Sequence, residues 1–313
     1  MTLKTLAVST VLALACATTV SAQVADAPRP PSPSPDATTL EDITVRGAAT
    51  RLAMGAYART IAAGPPGRLS PRWNNRVCVR VMNMDAEHAD ILKTRVEVVA
   101  QAVGLSPDTA RNCAPNISIY ASDDPDALAQ ALVEASPRTF QPVRNNVSLG
   151  DAALDAFQTS DAPVRWWQVS LPLMVDTGQP AIVLGATDTK DPMGRAVTVR
   201  NGSRLLGNVR DDLVGVTIII DTQKINSAPF GAVSDYVAFV ALAPADPRAT
   251  TESFDTVLNL FDRPDVSGLT PMDQDYLYAL YTASRAPASA SLQAGEIADR
   301  MASERRRRSE SDN

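Results

Sequence analysis

The segment FGAVSDYVAFVALA at residues 230–243 constrains the fold most, because it has almost no polar residue except Ser234 and Asp235. A helix that is apolar on every side needs neighbours all around it. The run VGVTIIID at residues 214–221 is apolar and rich in β-branched residues, which is typical of a strand buried on both faces. We therefore predict a domain with a buried helix at its centre, preceded by an interior strand.

The first regular part of the chain predicts a βαβ unit. RVCVRVM at 76–82 and NISIYAS at 116–122 have the alternating, β-branched pattern of strands. Asp85 is placed to cap the intervening helix, which ends at Gly104. The apolar face of that helix consists of Leu92, Val96, Val99 and Val103. A strand–helix–strand unit of this kind is expected to have parallel strands and a right-handed crossover.

The remaining core is predicted to be mixed. Strands are indicated at 164–174 and 181–186, and the Asn201-Gly202 pair favours a two-residue hairpin turn. Thr270 and Pro271 open a last core helix, with Asp273 near its N terminus. The predicted fold class is therefore α+β, with a mixed sheet, a βαβ start, a buried central helix and a terminal core helix.

Two cysteines, Cys78 and Cys113, remain after the predicted leader is removed. In an oxidising compartment an even pair favours a disulfide, which would close a loop of about 35 residues and stabilise the fold by roughly 3–4 kcal/mol. Two separate buried thiols are the alternative.

The N terminus indicates export. Residues 1–22 have the layout of a signal peptide with cleavage after Ala22, whereas a second interpretation makes Cys16 the lipidated residue of a lipoprotein. The protein is therefore expected to be periplasmic or secreted, with no transmembrane segment. A net charge of −6 argues against nucleic-acid binding.

The remaining boundaries follow from composition. Residues 23–70 are predicted to be a Pro/Ser-rich linker and lead-in, residues 71–285 the folded domain, and residues 286–313 a polar tail. The tail contains Arg305–Arg308, interpreted as a solvated run. TTLEDITVRG at 38–47 is similar to a segment of TonB-dependent outer-membrane receptors, and is otherwise interpreted as a short β-prone segment packed on the domain.

This order of elements resembles the matrixin-type zincin metallopeptidases. In those enzymes a central helix carries HExxHxxGxxH and a terminal helix opens with a pattern like LSxxDxxxIxxLY. The terminal pattern is present in kind, as Leu269, Thr270, Asp273, Leu277, Leu280 and Tyr281. The resemblance implies a zincin-like sheet over residues 71–285.

The central motif of that family is degenerate. On the register that the resemblance implies, Asp235 and Phe239 take the first two ligand positions, Tyr236 the general base, Leu242 the glycine and Ala245 the third ligand. A hydrolytic zinc needs about three nitrogen or carboxylate ligands and an open position for water. Phenylalanine has no lone pair and the chain has one histidine, His88. The resemblance therefore implies the fold, whereas these residues argue against the activity of the family. We expect a pseudo-enzyme without a metal or cofactor.

Three hypotheses follow. The first is an exported pseudo-enzyme that holds a peptide or an envelope partner in the old cleft or along the exposed strand before the central helix. The second is a hydrolase with an unrecognised carboxylate site, using Asp235 and Asp246. The third is an envelope accessory protein in which the domain is a spacer. Trp166 and Trp167 lie on opposite faces of a strand, so one of them is a possible partner contact. Asp211-Asp212, before a strand, is interpreted as a solvated turn.

Overall fold

The computed structural model describes residues 40–64, 68–140, 149–181 and 206–311. The predicted leader with Cys16, the Pro/Ser-rich linker up to residue 39, the segment 182–186 and the Asn201-Gly202 turn lie outside these ranges. The described residues from Glu41 onward belong to one compact unit. No helix among the described residues is long and apolar enough to cross a membrane.

The strands are β1 (Arg76–Val77), β2 (Val79–Met82), β3 (Ser106–Pro107), β4 (Ile117–Ser122), β5 (Val164–Met174) and β6 (Val209–Asp221). The helices are α1 (Leu40–Ile61), α2 (Ala86–Ala102), α3 (Pro125–Ala135), α4 (Pro137–Phe140), α5 (Asp151–Thr159), α6 (Phe230–Leu242), α7 (Pro271–Thr282) and α8 (Ala290–Ser311). Short 3-10 helices lie at Ile225–Ser227 and Val257–Asn259. The mixed α+β class is confirmed.

The main sheet has four strands in the order β2-β4-β6-β5. β2, β4 and β6 are parallel, whereas β5 runs antiparallel to β6 with a register shift between Val169 and Ser170. β2 and β4 are joined by α2, so the predicted parallel βαβ start is confirmed. Asp85 caps α2 by accepting a hydrogen bond from the His88 backbone N–H, as predicted.

Each face of the sheet is covered by helices. On one face, α2 and α6 pack against Ile117, Ile119, Ile218 and Ile220. On the other face, Ala129 of α3 and Phe157 of α5 pack with Trp167 and Ile219. Because β6 is covered on both faces, its continuous apolar sequence is explained.

The central helix α6 is buried as its composition predicts, and residues 237–242 have no exposed surface. α7 begins as predicted, because Thr270 and Asp273 form a reciprocal capping box and Pro271 occupies the first turn. α7 lies beside α6, and the hydroxyl of Tyr281 donates to the Leu242 carbonyl at 2.8 Å.

The structure corrects the predicted lead-in. The segment at 38–47, expected to be β-prone, contributes from Leu40 onward to α1, and the compact unit begins well before residue 71. The second half of α1 is helical and packed on the domain because its apolar residues recur at helical spacing. Its buried face consists of Met54, Tyr57, Ala58 and Ile61. The chain beyond α1 is held by a backbone bridge between Ala62 and Ala245.

The predicted polar tail also belongs to the core. α8 packs along α7 and buries Gln293, Ile297, Ala298, Met301 and Ala302. Arg305 pairs with the fully buried Asp275 at 2.7 Å, and Arg307 stacks over Tyr278. Part of the run Arg305–Arg308 therefore binds α7, where it compensates the buried charge of Asp275.

Candidate functional site

The positions that correspond to the metallopeptidase motif lie on α6 and just beyond its C terminus. Phe239 and Leu242 are completely buried, and Ala245 is 1% exposed. Tyr236 is also buried, packing edge-to-face on Trp166, and burial raises the pKa of its hydroxyl above the ordinary tyrosine value. A tyrosine of this kind stays protonated and cannot act as a base at neutral pH.

The C-terminal turn of α6 is closed by side chains. The last carbonyl groups of a helix have no partner within the helix, so they need hydrogen bonds from elsewhere. Four side chains supply them: Gln168 Nε2 to Val240 and Ala243 at 2.7 Å, Trp73 Nε1 to Ala241 at 2.9 Å, Tyr281 to Leu242, and Trp166 Nε1 to Ala245 at 2.9 Å. The C-terminal turn of α6 is therefore enclosed by side chains.

The cavity beside Ala245 is small. It lies against Trp166, Gln168 and Pro247 and has a volume of about 20 Å³. A volume of this size holds about one water molecule. No peptide side chain fits there, so the space beside Ala245 does not provide the cleft that the first hypothesis expects.

Asp235 is the one motif residue that borders an open space. Its Oδ1 accepts a hydrogen bond from Arg95 Nε of α2, and its Oδ2 accepts one from the Leu269 backbone N–H at 3.0 Å. Gly268 has a φ of 154°, and a Cβ there would collide with the Asp235 carboxylate. Glycine at 268 therefore lets the chain approach α6 closely enough for this contact.

The open space beside Asp235 is a groove between α2 and the first half of α6, which we call the α2–α6 groove. Its volume is about 610 Å³, and it is lined by Asp90, Ile91, Thr94, Arg95, Val98, Gly231, Ser234 and Asp235. Ile91 and Val98 are 45% and 47% exposed at its rim. Gly231 is an exposed lining residue, and a Cβ there would meet no atom within 4 Å. The groove thus combines two apolar side chains with one ion pair.

The two tryptophans of β5 do not provide the partner contact that was predicted for one of them. Trp166 and Trp167 do point to opposite faces, but both are buried. Trp167 packs near Phe157 and donates to the Phe140 carbonyl at 2.9 Å. The prediction that one ring is a partner contact is therefore wrong, because helices cover both faces of the sheet.

The strand before the central helix is also not exposed. That strand is β6, which lies between β4 and β5. β2 and β5 are the outer strands of this sheet in the described part of the chain. The turn after β5 brings Pro180 and Ala181 back alongside Leu173 and Pro172. Strand addition next to α6 therefore receives less support than binding in the α2–α6 groove.

Cys78 and Cys113 form the predicted disulfide, which joins the β1–β2 junction to the segment before β4. His88 lies in the first turn of α2, where its Nδ1 is 2.8 Å from Asp85 Oδ2, and it stacks edge-on against Phe230. No group of three or more His, Cys, Asp or Glu side chains in the described ranges is arranged to hold a metal ion.

The prediction of a solvated turn at Asp211-Asp212 is wrong. Asp211 and Asp212 are buried in β6 rather than solvated in a turn. Asp211 accepts from Arg68 Nε at 2.8 Å, and Asp212 accepts from Arg210 and Arg285 at 3.1 Å each. These pairs attach the chain before β1 and the segment between α7 and α8 to the sheet. Their role is structural, since every carboxylate has a bound guanidinium.

Comparison with known proteins gives no match among protein-family models, curated proteins or solved structures.

Proposed function

We propose that this chain is an exported, non-catalytic binding protein built on a metallopeptidase-like scaffold. The proposal rests on the enclosure of the C-terminal turn of α6, which we call the motif turn. Phe239 and Leu242 are buried there, and the helix carbonyls accept hydrogen bonds from side chains. The order of elements, from the βαβ start through α6 to the capped α7, supports the kinship with zincins. Without a lone pair at position 239, the turn lacks a ligand that metal-assisted hydrolysis requires.

The α2–α6 groove is the surface through which we propose binding. Large apolar side chains that remain half exposed beside a concave surface are typical of interaction sites. Ile91 and Val98 have this property, and the absence of a side chain at Gly231 leaves the α6 side of the groove open to close approach. The proposed partner is a peptide or a protein of the cell envelope.

A hydrolase that uses Asp235 and Asp246 is the second candidate, because Asp235 borders an open groove. Its surroundings favour binding over catalysis. Asp235 is held by Arg95 and the Leu269 N–H, while Asp246 lies beyond the C terminus of α6 and pairs with Arg248 at 3.0 Å. Two carboxylates that are each neutralised by an arginine, one within the first half of α6 and one beyond its C terminus, do not form an acid–base pair.

The absence of catalysis is tested by metal analysis of the purified protein together with a broad peptidase screen. We expect less than stoichiometric zinc and no cleavage that a chelator abolishes. Stoichiometric zinc with chelator-sensitive cleavage would overturn the proposal. An Asp235→Asn variant identifies the source of any residual activity, since the second candidate requires this carboxylate.

Binding is tested by affinity capture from envelope extracts with Val98→Asp. The matched control is Val175→Asp, because Val175 is 44% exposed but lies outside the groove. We expect Val98→Asp to lose the captured partner and Val175→Asp to retain it. Equal capture by both variants would exclude the groove. Removal of residues 23–39 tests the spacer hypothesis, because those residues precede α1 and its buried Tyr57.

A further inference from the structure

The outward face of α2 has the composition of a helix–helix contact. The buried face of α2 consists of Leu92, Val96, Val99 and Ala100. On the opposite side, Ile91 and Val98 are half exposed and seven residues apart, which is one heptad. With both residues at heptad position a, Thr94 takes position d between them. α2 therefore presents a short apolar seam that the rest of the described chain leaves uncovered.

The charges beside this seam complement each other. Asp90 precedes Ile91 at position g, is exposed, and has no hydrogen bond or ion pair within the described residues. Arg95 is at position e, and its Nε binds Asp235 while its two terminal amino groups have no partner in the described part of the chain. One helix thus carries an aspartate without an ion pair and, five residues later, an arginine that binds Asp235 through Nε and keeps its two amino groups for a further contact.

A spacing of five residues from g to e is the one at which parallel helices form ion pairs with each other. We propose that the α2–α6 groove docks a second copy of this chain, with the two α2 helices parallel about a two-fold axis. Ile91, Thr94 and Val98 of one protomer meet the same residues of its partner. Asp90 of each protomer pairs with Arg95 of the other. This inference rests on the proposed function, in which the groove is a docking surface.

The second copy is favoured because a single helix supplies both halves of each pair. A two-fold axis makes every contact occur twice, so self-complementary charge at the required spacing is what an isologous interface needs. Gly231 leaves room for the partner helix above α6. Glu87, one turn before Ile91, would face its own copy, so the contact is confined to about two turns. The dimer is consequently weak and depends on concentration.

The primary test is sedimentation velocity of the purified protein over a wide range of concentration. We expect the mass to rise from one chain to two. Val98→Asp weakens self-association at least about tenfold, because it places two carboxylates in the apolar seam. Val175→Asp leaves it unchanged. A protein that stays monomeric at every concentration, or a dimer that Val98→Asp does not affect, overturns the inference.

The charge pair has its own variants. Asp90→Arg places two arginines together at each pair and is expected to weaken the dimer, whereas Asp90→Glu preserves it. Asp123→Arg is the control, since Asp123 is exposed, lies outside the groove and makes the same change in net charge. Equal weakening by Asp90→Arg and Asp123→Arg would contradict the pairing and indicate an effect of net charge alone.

Orientation is tested by oxidative cross-linking of Ile91→Cys. In the parallel arrangement residue 91 meets its own copy and a disulfide forms, whereas antiparallel helices place residue 91 against Val98 and no bond forms. A dimer that does not cross-link overturns the parallel register. If the protein is a monomer and captures an envelope protein in a Val98-dependent manner, the inference of a second copy in the groove is wrong and the proposed function is supported.

Discussion

The hydroxyl of Tyr57 in α1 donates a hydrogen bond to Asp273 Oδ1 in α7 at 2.7 Å, although the two residues are 216 positions apart. Asp273 also accepts from the Thr256 hydroxyl at 2.6 Å and from the backbone N–H groups of Val257 and Thr270 at 2.7 and 3.0 Å. This buried carboxylate therefore joins α1, the 3-10 helix at Val257–Asn259 and the start of α7.

The contribution of the Tyr57 hydroxyl can be isolated with a matched pair of variants. Tyr57→Phe leaves Asp273 with one donor fewer in a buried site, so we expect a loss of about 1–3 kcal/mol of unfolding free energy. Tyr276→Phe removes a hydroxyl that is equally buried but has no hydrogen-bond partner among the described residues. That variant is expected to be neutral or slightly stabilising. Denaturant unfolding measures both, and equal losses would contradict the network.

The same site gives a pH dependence of stability. Burial raises the pKa of the Asp273 carboxyl above its ordinary value, and its hydrogen bonds offset only part of that shift. A carboxyl whose pKa is higher in the folded state contributes stability that is present below its unfolded pKa and is lost as the pH rises through its folded pKa. Asp273→Asn abolishes this titration. It is also expected to lower the unfolding free energy by about 3 kcal/mol, because the NH₂ group of asparagine is a donor and would face other hydrogen-bond donors.

The measurement is the unfolding free energy of wild type and Asp273→Asn from pH 4 to pH 8. We expect the cost of the substitution to be largest at acidic pH and to fall as the pH rises. A cost that grows with pH would show that the carboxylate, rather than the neutral acid, is the form that the folded protein prefers.

The sequence predicts the elements whose signal is local. α6 is recognisable because apolar residues surround it, and α2 and α7 because their caps Asp85 and Thr270 stand next to the helices that they start. α1 and the attachment of α8 cannot be recognised from the sequence, because the buried face of each helix is a few apolar residues among alanines and charged side chains. Such a face is identified as buried only when its partner helix is known.

The charged interior is beyond sequence reasoning for a similar reason. Asp211 lies 143 positions from Arg68, and Asp212 lies 73 positions from Arg285. Nothing near Asp211-Asp212 distinguishes a buried pair of aspartates from a solvated turn. The α2–α6 groove is equally invisible, because it depends on how two helices from distant parts of the chain diverge on the sheet.

The burial of α8 gives a further stability test. Met301→Ala removes a fully buried side chain and is expected to cost about 2–5 kcal/mol. Leu292→Ala on the same helix is the control, because Leu292 is 47% exposed and its loss should change stability by less than about 0.5 kcal/mol. Thermal and denaturant unfolding compare the two. Equal, small effects would mean that α8 is a frayed tail after all.

The disulfide gives a test of the N-terminal half of the domain. Replacing both Cys78 and Cys113 with alanine is expected to cost about 3–4 kcal/mol, since the bond closes a loop of 35 residues. A reductant should lower the melting temperature of the wild-type protein and leave that of the double variant unchanged. A double variant as stable as wild type would show that the sheet alone keeps β2 and β4 together.

The last prediction concerns the motif turn itself. Phe239→His places a nitrogen at the position that the proposed kinship assigns to the second ligand. Position 239 lies in the core, where the Phe239 ring packs against Tyr276 with ring centroids 6.2 Å apart. We expect a loss of about 3 kcal/mol or more, because an imidazole is buried without a partner and aromatic packing is lost. Isothermal titration with zinc should show no binding, even with Asp235→His on the same helix face. Tight zinc binding by the double variant would mean that the turn opens to solvent, and a stable catalytic site could then be rebuilt on α6.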